Sequence, residues 1–561
     1  MDKLKWWQKK SVYQVYPKSF LDTTGSGTGD IPGVTEKLDY LKTLGVGAVW
    51  LTPVYPSPMV DNGYDIADFK GIDPSYGSMA DMEKLIAEGK KRDIRIVMDL
   101  VYNHSSDKHP WFIDSASSRD SEHSDWYIWR DAKPDGSAPT NWRSIFGGSA
   151  WTWCEARQQY YLHTFAEAQP DLNWENPKVR EALYEAANFW LDKGVGGFRI
   201  DAIVYIKKPA EFVDGEPDSE DGMVNIHTMI AGTPGILDFL HEFKAKVFAG
   251  HDIFTVAEAN GVSPEQLPQW VGKDGAFDML FEFSHMNLEF PKGEIWSQAT
   301  GYTEEIIPKL KEVIAASQRA TAHNGWYPIF FENHDQMRCV RHYFPDEAPK
   351  GPAAKAMASI LLTLRGTPFV YEGQELGFGN VAWDSIEAYN DISSKGQYAL
   401  ALEEGKTTSE AMKLVHRYSR DNARTPMQWT TGKNAGFSSG TPWLLVHEDF
   451  ANECVESEAK DEDSVLSFYR KLAAIRQQGE AAEILQQGDY EEVLEGSPAI
   501  MGFKRSLGGR EVYTLVNFTG EEQRYALPDL EKASLLVGSM ENSCKGILRA
   551  FEAQIYIRET R

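Results

Sequence analysis

Short apolar runs alternate along this chain with longer stretches of helical periodicity, and the alternation persists for several hundred residues. Residues 12–16, 48–51 and 94–101 read as strands, with helices at 34–44 and 79–92 between them. The rhythm resumes with a helix at 179–193, a strand at 197–200, a helix at 234–248 and a strand at 254–257. Strands at 329–331 and 368–371, separated by a helix at 353–365, complete it. A parallel connection needs a crossover, and a helix is the usual one, so this pattern predicts a parallel α/β sheet. At this length the predicted fold is a TIM (β/α)8 barrel, with an open doubly wound sheet as the alternative.

Two stretches break the rhythm. Residues 104–170 are rich in Trp, Ser, Gly and Asp and read as an inserted subdomain, and residues 376–440 form a second long excursion. From 481 onward the pattern turns to short alternating strands (499–503, 512–517, 554–557), which predicts a C-terminal antiparallel β-sandwich. The expected domains are a barrel from 1–103 and 171–480, the insertion at 104–170, and the all-β domain at 481–561. A chain of 561 residues is too long for one core, in keeping with that division.

A net charge of −26 argues against nucleic acid or an anionic membrane as partner, because both would repel it. It suits a protein that handles a small neutral molecule, as a monomer or weak homo-oligomer. The four cysteines (Cys154, Cys339, Cys454, Cys544) lack metal-type spacing and read as separate reduced thiols. MDKLKWWQKK lacks the apolar run of a signal peptide and no stretch is long enough to span a bilayer, so a cytoplasmic location is expected.

In a β/α barrel, side chains at the C-terminal strand ends converge on one mouth. Those ends carry Asp99, Asn103 and His104 in DLVYNHSS, Arg199 and Asp201 in GFRIDAI, Glu258 in VAEAN, and His334 and Asp335 in ENHDQ. A lone aspartate at a strand end is usually a helix cap or an ion-pair partner. Three carboxylates with an arginine and two histidines suit glycosidic cleavage, which needs one carboxylate as nucleophile and one carboxylic acid as proton donor.

These four segments, in this order, resemble the signature segments of the α-amylase superfamily, glycoside hydrolase family 13. YQVYPKSF, DNGYDIADF, QPDLNW and RDNARTPMQW are similar to its oligosaccharide-cleaving branch of oligo-1,6-glucosidases, α-glucosidases, dextran glucosidases, trehalose-6-phosphate hydrolases and sucrose isomerases. The resemblance implies Asp201 as nucleophile, Glu258 as acid/base and Asp335 as the third carboxylate. It implies that Arg199 orients Asp201, that His104 and His334 donate to sugar hydroxyls, and that Asp61 and Arg420 close the pocket. Tyr64 and Phe165 would be aromatic walls. A pocket closed at the non-reducing end implies exo action.

The sequence departs from the family pattern at Ala257, where Gly is common, and at Tyr102, where Val is usual. The loop DTTGSGTGD resembles a cation-binding loop, which implies a structural Ca²⁺ or Mg²⁺ on Asp22, Thr24, Ser26, Thr28 and Asp30. Thr24 and Ser26 are weaker ligands than the carboxylates and amides a hard cation prefers. No cofactor is otherwise expected. Ala202, after the nucleophile, is smaller than the Val usual in oligo-1,6-glucosidases and favours α-1,4 bonds, with α-1,6 bonds and sucrose as further candidates. Lys207 and Lys208 are the cations that a trehalose-6-phosphate hydrolase would use, or else a solvated helix face. A sucrose isomerase or transglucosidase, and an inactive carbohydrate-binding relative, are the other readings; retention of all three carboxylates argues against the last.

Overall fold

A computed structural model describes residues 4–219, 221–290 and 295–559. Residues 1–3 and 560–561, the extreme ends of the predicted domains, lie outside this range, as does residue 220. Eight parallel strands form the central sheet: β1 (Ser11–Val15), β2 (Val46–Leu51), β3 (Arg95–Val101), β4 (Gly197–Asp201), β5 (Phe254–Glu258), β6 (Met279–Phe281), β7 (Pro328–Ile329) and β8 (Thr367–Tyr371). Their order, β6-β5-β4-β3-β2-β1-β8-β7, places β6 beside β7 across the seam of a nearly closed barrel. Strands β1, β2 and β8 are buried along their whole length. Double-sided burial explains why they read as continuous apolar runs rather than alternating ones.

Helix signals agree with local chemistry. Met79–Lys91 starts at a capping box between Ser78 and Asp81, and Pro177–Asp192 starts at Asn176 with Pro177 at its first position. Gly197 is required where β4 meets β5, since a β-carbon there would lie 2.2 Å from the Phe254 carbonyl oxygen.

Several elements differ from expectation. The helix predicted over 34–44 is two short helices, Ile31–Glu36 and Leu38–Thr43, broken at Lys37 where ψ turns to 4°. The helix predicted over 234–248 starts at Ile236, after Gly235 in the left-handed region, and ends in a π-helical turn over Lys244–Phe248. Strand β6 and the helix Ile306–Ala320 had no counterpart in the sequence reading. Strand β7 ends at Ile329, short of the predicted 331.

Within 104–170, Trp129–Arg130, Gln159–Leu162 and Trp151–Cys154 form a small antiparallel sheet. Phe112 of the helix Pro110–Ser117 packs on Tyr127, Trp129 and Tyr161. Trp142–Arg143 pairs with Val224–Asn225 from the connection that follows β4, so that connection and the insertion share a wall.

The C-terminal strands β9 (Asp489–Val493), β10 (Ile500–Leu507), β11 (Arg510–Asn517), β12 (Ser534–Gly538) and β13 (Ala553–Glu559) form one antiparallel sheet in the order β9-β10-β11-β13-β12. Period two divides its faces. Val512, Val516, Ile555 and Ile557 join the barrel core, whereas Tyr513, Leu515 and Tyr556 belong to a separate cluster with Leu530 and Leu548. A short ribbon of Gln523–Arg524 and Ile547–Leu548 lies on that second side.

Arg505 on β10 ties this sheet to the barrel. Among the described residues its buried guanidinium has no carboxylate partner, and it donates instead to the carbonyls of Thr363 (2.9 Å), Leu485 (2.9 Å) and Gly488 (2.6 Å). Arg505→Ala leaves three buried carbonyls unpaired and is expected to cost roughly 4 kcal/mol. A fall in the denaturant midpoint, with turnover unchanged below the transition, is the expected result.

Candidate active site

Side chains two apart on a strand share a face, so Arg199 and Asp201 of β4 both point into the barrel mouth. The register that sets Asp99 of β3 opposite Arg199 brings a further carboxylate beside them. Arg199 is 1% exposed. Its Nη1 donates to Asp99 Oδ1 (2.8 Å) and Asp201 Oδ1 (2.6 Å), and its Nη2 contacts Glu258 Oε2 at the end of β5. Asp99 is used up inside this floor, since Trp50 Nε1 (3.3 Å) and Tyr64 Oη (3.0 Å) also donate to it. Asp201 and Glu258 instead face a pocket. Burial pushes the Asp201 carboxyl up to about 6; Arg199 pulls against this, and Asp99 adds repulsion.

Asp335 arrives from the loop after β7. Arg420 Nη1 (3.1 Å) and Arg424 Nη2 (2.8 Å) share its Oδ1, and His334 Nε2 lies 2.9 Å from Oδ2. Burial alone would raise this carboxyl, but His334, Arg420 and Arg424 outweigh it and hold Asp335 well below the usual carboxylate range. Arg420 also pairs with Asp61 (2.9 Å) and Asp391 (2.6 Å). Asp61 is 4% exposed, so its pair with Arg420 walls off the deep end of the pocket.

Of the residues singled out from the sequence, Asp61, Tyr64, His104, Phe165, Asp201, Ala202, Glu258, Asp335 and Arg420 line this one pocket. Arg199 lies beneath it. His334 does not line it: the ring is fully buried, stacked on Tyr64 at 5.2 Å, with Nε2 turned to Asp335. Direct donation from His334 to a sugar hydroxyl therefore does not match its position. Ala202 adopts φ +44°, the left-handed region that β-branched residues rarely enter, and this turn swings the chain out of β4. Tyr102 points away from the pocket and donates to the Leu183 carbonyl at 2.8 Å, so its departure from the family pattern belongs to helix packing. Ala257 is fully buried within β5.

Other residues in and behind the pocket were not singled out from the sequence, although Gln169 opens the quoted QPDLNW motif. Gln169 donates to Asp61 at 3.2 Å, and Asp391 anchors Arg420. Phe146, Phe283, Phe290, Trp296 and Tyr418 form an aromatic collar with Gln336 among them. Arg424 was legible in principle, because it sits four residues after Arg420 in the quoted RDNARTPMQW motif. Asp391 carries no local signal beyond its role as a helix cap.

Lys207 and Lys208 lie outside this pocket and line a different cavity. Lys207 pairs with Glu175 at 2.5 Å, and Lys208 is buried against Asp171 at 2.8 Å, so Lys208 is no solvated helix face. The 22–30 loop also stands apart from the pocket. Asp22 accepts from Thr24 (N and Oγ1), Gly25 N, Gly27 N and Ser438 Oγ, and Asp30 accepts from Thr23 and Gly33. Ser26 Oγ donates to the Thr28 carbonyl at 3.1 Å. A hard cation needs oxygen lone pairs converging on one point. Here those lone pairs face N–H and O–H groups, and as arranged the five residues do not fit a Ca²⁺ or Mg²⁺ cage.

A model of the alpha amylase catalytic domain matches residues 14–488. The chain belongs to the alpha-amylase family. Among family members, an oligo-1,6-glucosidase of Parageobacillus thermoglucosidasius is 41% identical, with 98% of each chain covered. A trehalose-6-phosphate hydrolase of Bacillus subtilis (strain 168) is 42% identical, covering 93% of this chain and 91% of that one. The crystal structure of an isomaltulose synthase from Protaminobacter rubrum superposes with a TM-score of 0.93 at 38% identity, covering 99% of this chain and all of the other. As an alpha-amylase family protein the chain is a glycoside hydrolase. Among the described residues, no helix is long and apolar enough to cross a membrane.

The Asp201 environment makes a pH prediction. A reaction that needs ionised Asp201 loses kcat/KM as pH falls through about 6, because the raised carboxyl then takes up a proton. A pH–rate profile on an α-glucoside measures this; a flat acid side across that range contradicts it.

Proposed function

We propose that the protein is a retaining, exo-acting α-glucosidase that removes the non-reducing terminal glucose from short neutral α-glucosides. The observation that carries this reading is the sharing of one guanidinium by two pocket carboxylates: Asp201 holds Nη1 of Arg199 and Glu258 holds Nη2. Carboxyls held by one fork lie near each other, which supports the ~5–5.5 Å spacing of retaining enzymes over the ~6.5–9.5 Å that admits a water between them. In this reading Asp201 attacks the anomeric carbon and forms the covalent glycosyl-enzyme. Glu258 first protonates the departing oxygen and then takes a proton from the water that releases the sugar. Asp335, kept ionised by two arginines, holds ring hydroxyls and favours the distorted, cation-like ring. The Asp61–Arg420 pair closes one end of the pocket, which supports exo action.

Among the described lining residues, Arg420 is the only Lys or Arg, and it is occupied by three carboxylates. No further Lys or Arg among the described lining residues meets a phosphorylated leaving group, which supports neutral substrates over trehalose 6-phosphate. The small Ala202 at the pocket wall leaves space for α-1,4-linked leaving groups, so maltose-type sugars are preferred, with isomaltose and sucrose also accepted. The bacterial relatives named above support the α-glucosidase reading without fixing the linkage.

Three measurements test it. A substrate panel of maltose, isomaltose, sucrose, trehalose and trehalose 6-phosphate should show highest kcat/KM on a neutral disaccharide; dominance of the phosphorylated sugar would sink the neutral-substrate reading. An NMR time course should show α-glucose first, and β-glucose first would refute retention. Asp201→Asn should lower kcat by at least about 10⁴-fold, the scale seen when a catalytic nucleophile is lost, while thermal unfolding stays near wild type.

A further inference from the structure

The DTTGSGTGD loop resembles a cation-binding loop, but its oxygens are already engaged. Asp22 Oδ1 accepts from Thr24 N (2.9 Å), Thr24 Oγ1 (2.9 Å) and Gly25 N (2.8 Å). Its Oδ2 accepts from Gly27 N (2.7 Å) and Ser438 Oγ (2.5 Å). Those five donors meet a group with about four lone-pair sites, so this carboxylate is saturated. Asp30 accepts from Thr23 N, Thr23 Oγ1 and Gly33 N, which leaves it roughly one site. Ser26 Oγ donates to the Thr28 carbonyl and accepts from Thr28 N. Ca²⁺ takes about six to eight oxygens, and Mg²⁺ a near-ideal octahedron of them. Neither is on offer here.

What closes the loop is a remote stretch of the chain, residues 437–443. Asp22 N donates to the Phe437 carbonyl (2.9 Å), and Trp443 N donates to the Gly27 carbonyl (3.0 Å). Between these two bonds Ser438 directs its hydroxyl at Asp22. The serine is itself held, since Gly440 N donates to its Oγ (2.9 Å) and Asn434 Nδ2 donates to its carbonyl (2.9 Å). Gly27 lets the two backbones meet: its φ is +89°, and a β-carbon there would lie 1.9 Å from the Thr441 carbonyl oxygen. Trp443 Nε1 then donates to Ser19 Oγ (3.0 Å), which donates to the Arg424 carbonyl (2.6 Å). The stitched loop therefore stands behind the arginine that holds Asp335.

We propose that Ser438 takes the place of a cation at this loop: its hydroxyl and the backbone N–H groups around Asp22 hold the turn together, and the loop takes up neither Ca²⁺ nor Mg²⁺. An O–H aimed at a carboxylate is a charge-assisted bond, stronger than a neutral one, so it supplies Asp22 with the positive pole that an ion would bring. The hydroxyls of Thr24 and Ser26 fit the same logic. They satisfy their own loop, whereas amides or carboxylates at those positions would leave lone pairs in need of an ion. The proposal is independent of the substrate and of the function proposed above.

The test uses the full chain after dialysis against EDTA. Thermal unfolding should give the same melting temperature in EDTA and in millimolar Ca²⁺ or Mg²⁺. Ser438→Ala should lower the melting temperature by an equal amount in each of these buffers, because Asp22 loses a donor that no ion replaces. Calorimetric titration with each ion reads binding directly. Ser26→Lys is its control, since an ammonium placed in the loop expels any cation held there. One equivalent of ion bound by the wild type and lost in Ser26→Lys overturns the proposal. Uptake that Ser26→Lys leaves unchanged belongs to another part of the molecule and upholds it, as does no uptake at all. A Ser438→Ala melting temperature equal to that of the wild type overturns the role of the serine, and so does one that Ca²⁺ or Mg²⁺ restores.

Discussion

One buried guanidinium makes the barrel mouth possible. Asp99, Asp201 and Glu258 approach one another where water is largely excluded, and three anions so placed would repel strongly without an intervening cation. Arg199 stands between them, flanked by the rings of Trp50 and Tyr64 at 5.2 and 5.8 Å. Its two terminal nitrogens set where Asp201 and Glu258 sit, and so the geometry of any reaction between them. The compensation is incomplete by design of the fold: Asp201 keeps a raised pKa because loss of water outweighs the attraction of Arg199. Asp335 lies at the other extreme, because two arginines and a histidine converge on it. Two aspartates in one pocket are thus held at opposite ends of the carboxylate range by their neighbours alone.

The histidines extend this logic from charge to hydrogen-bond polarity. His104 and His334 are both buried, both have lowered pKa values, and both present Nδ1 to a side-chain amide. A neutral imidazole has one donor and one acceptor, and which is which has to be imposed from behind. At His334 the Gln14 amide meets Nδ1 and Asp335 meets Nε2, whereas at His104 the Asn103 and Gln169 amide nitrogens flank Nδ1 and Nε2 at 3.3 and 3.1 Å. The histidines are thus held by amides that do not line the pocket themselves.

Much of this was legible in the sequence because barrel strands place chemistry on a period of two. Arg199 and Asp201, or Asp99 and Val101, announce their shared face by spacing alone, and the strand-end position of Glu258 follows from the apolar run before it. Asp391 was invisible because its importance comes from Arg420, a residue 29 positions away that reaches it through an irregular excursion. The aromatic collar was hidden for a similar reason: Phe146 and Tyr418 come from separate loops that meet only in space. Strand β6 has three residues, too few for periodicity to register, and no Pro or Gly within 34–44 marks the break at Lys37. Lys208 was noticed but misplaced, since a lysine pair on a sequence looks the same whether it faces solvent or a buried aspartate.

The seam between the insertion and the connection after β4 has its own implication. Trp142–Arg143 pairs with Val224–Asn225, Asn141 bonds both Asp214 and Gly215, and Arg143 reaches Asp218 and Asp221. Two excursions remote in sequence are thereby stitched into one flap, and Tyr205 and Ile145 on the pocket rim hang from its two sides. Lengthening or trimming either excursion would drag the rim with it while leaving the strand ends untouched. Appetite for different sugars can therefore diverge among relatives of this chain by tailoring that hem, with the cutting machinery inherited whole.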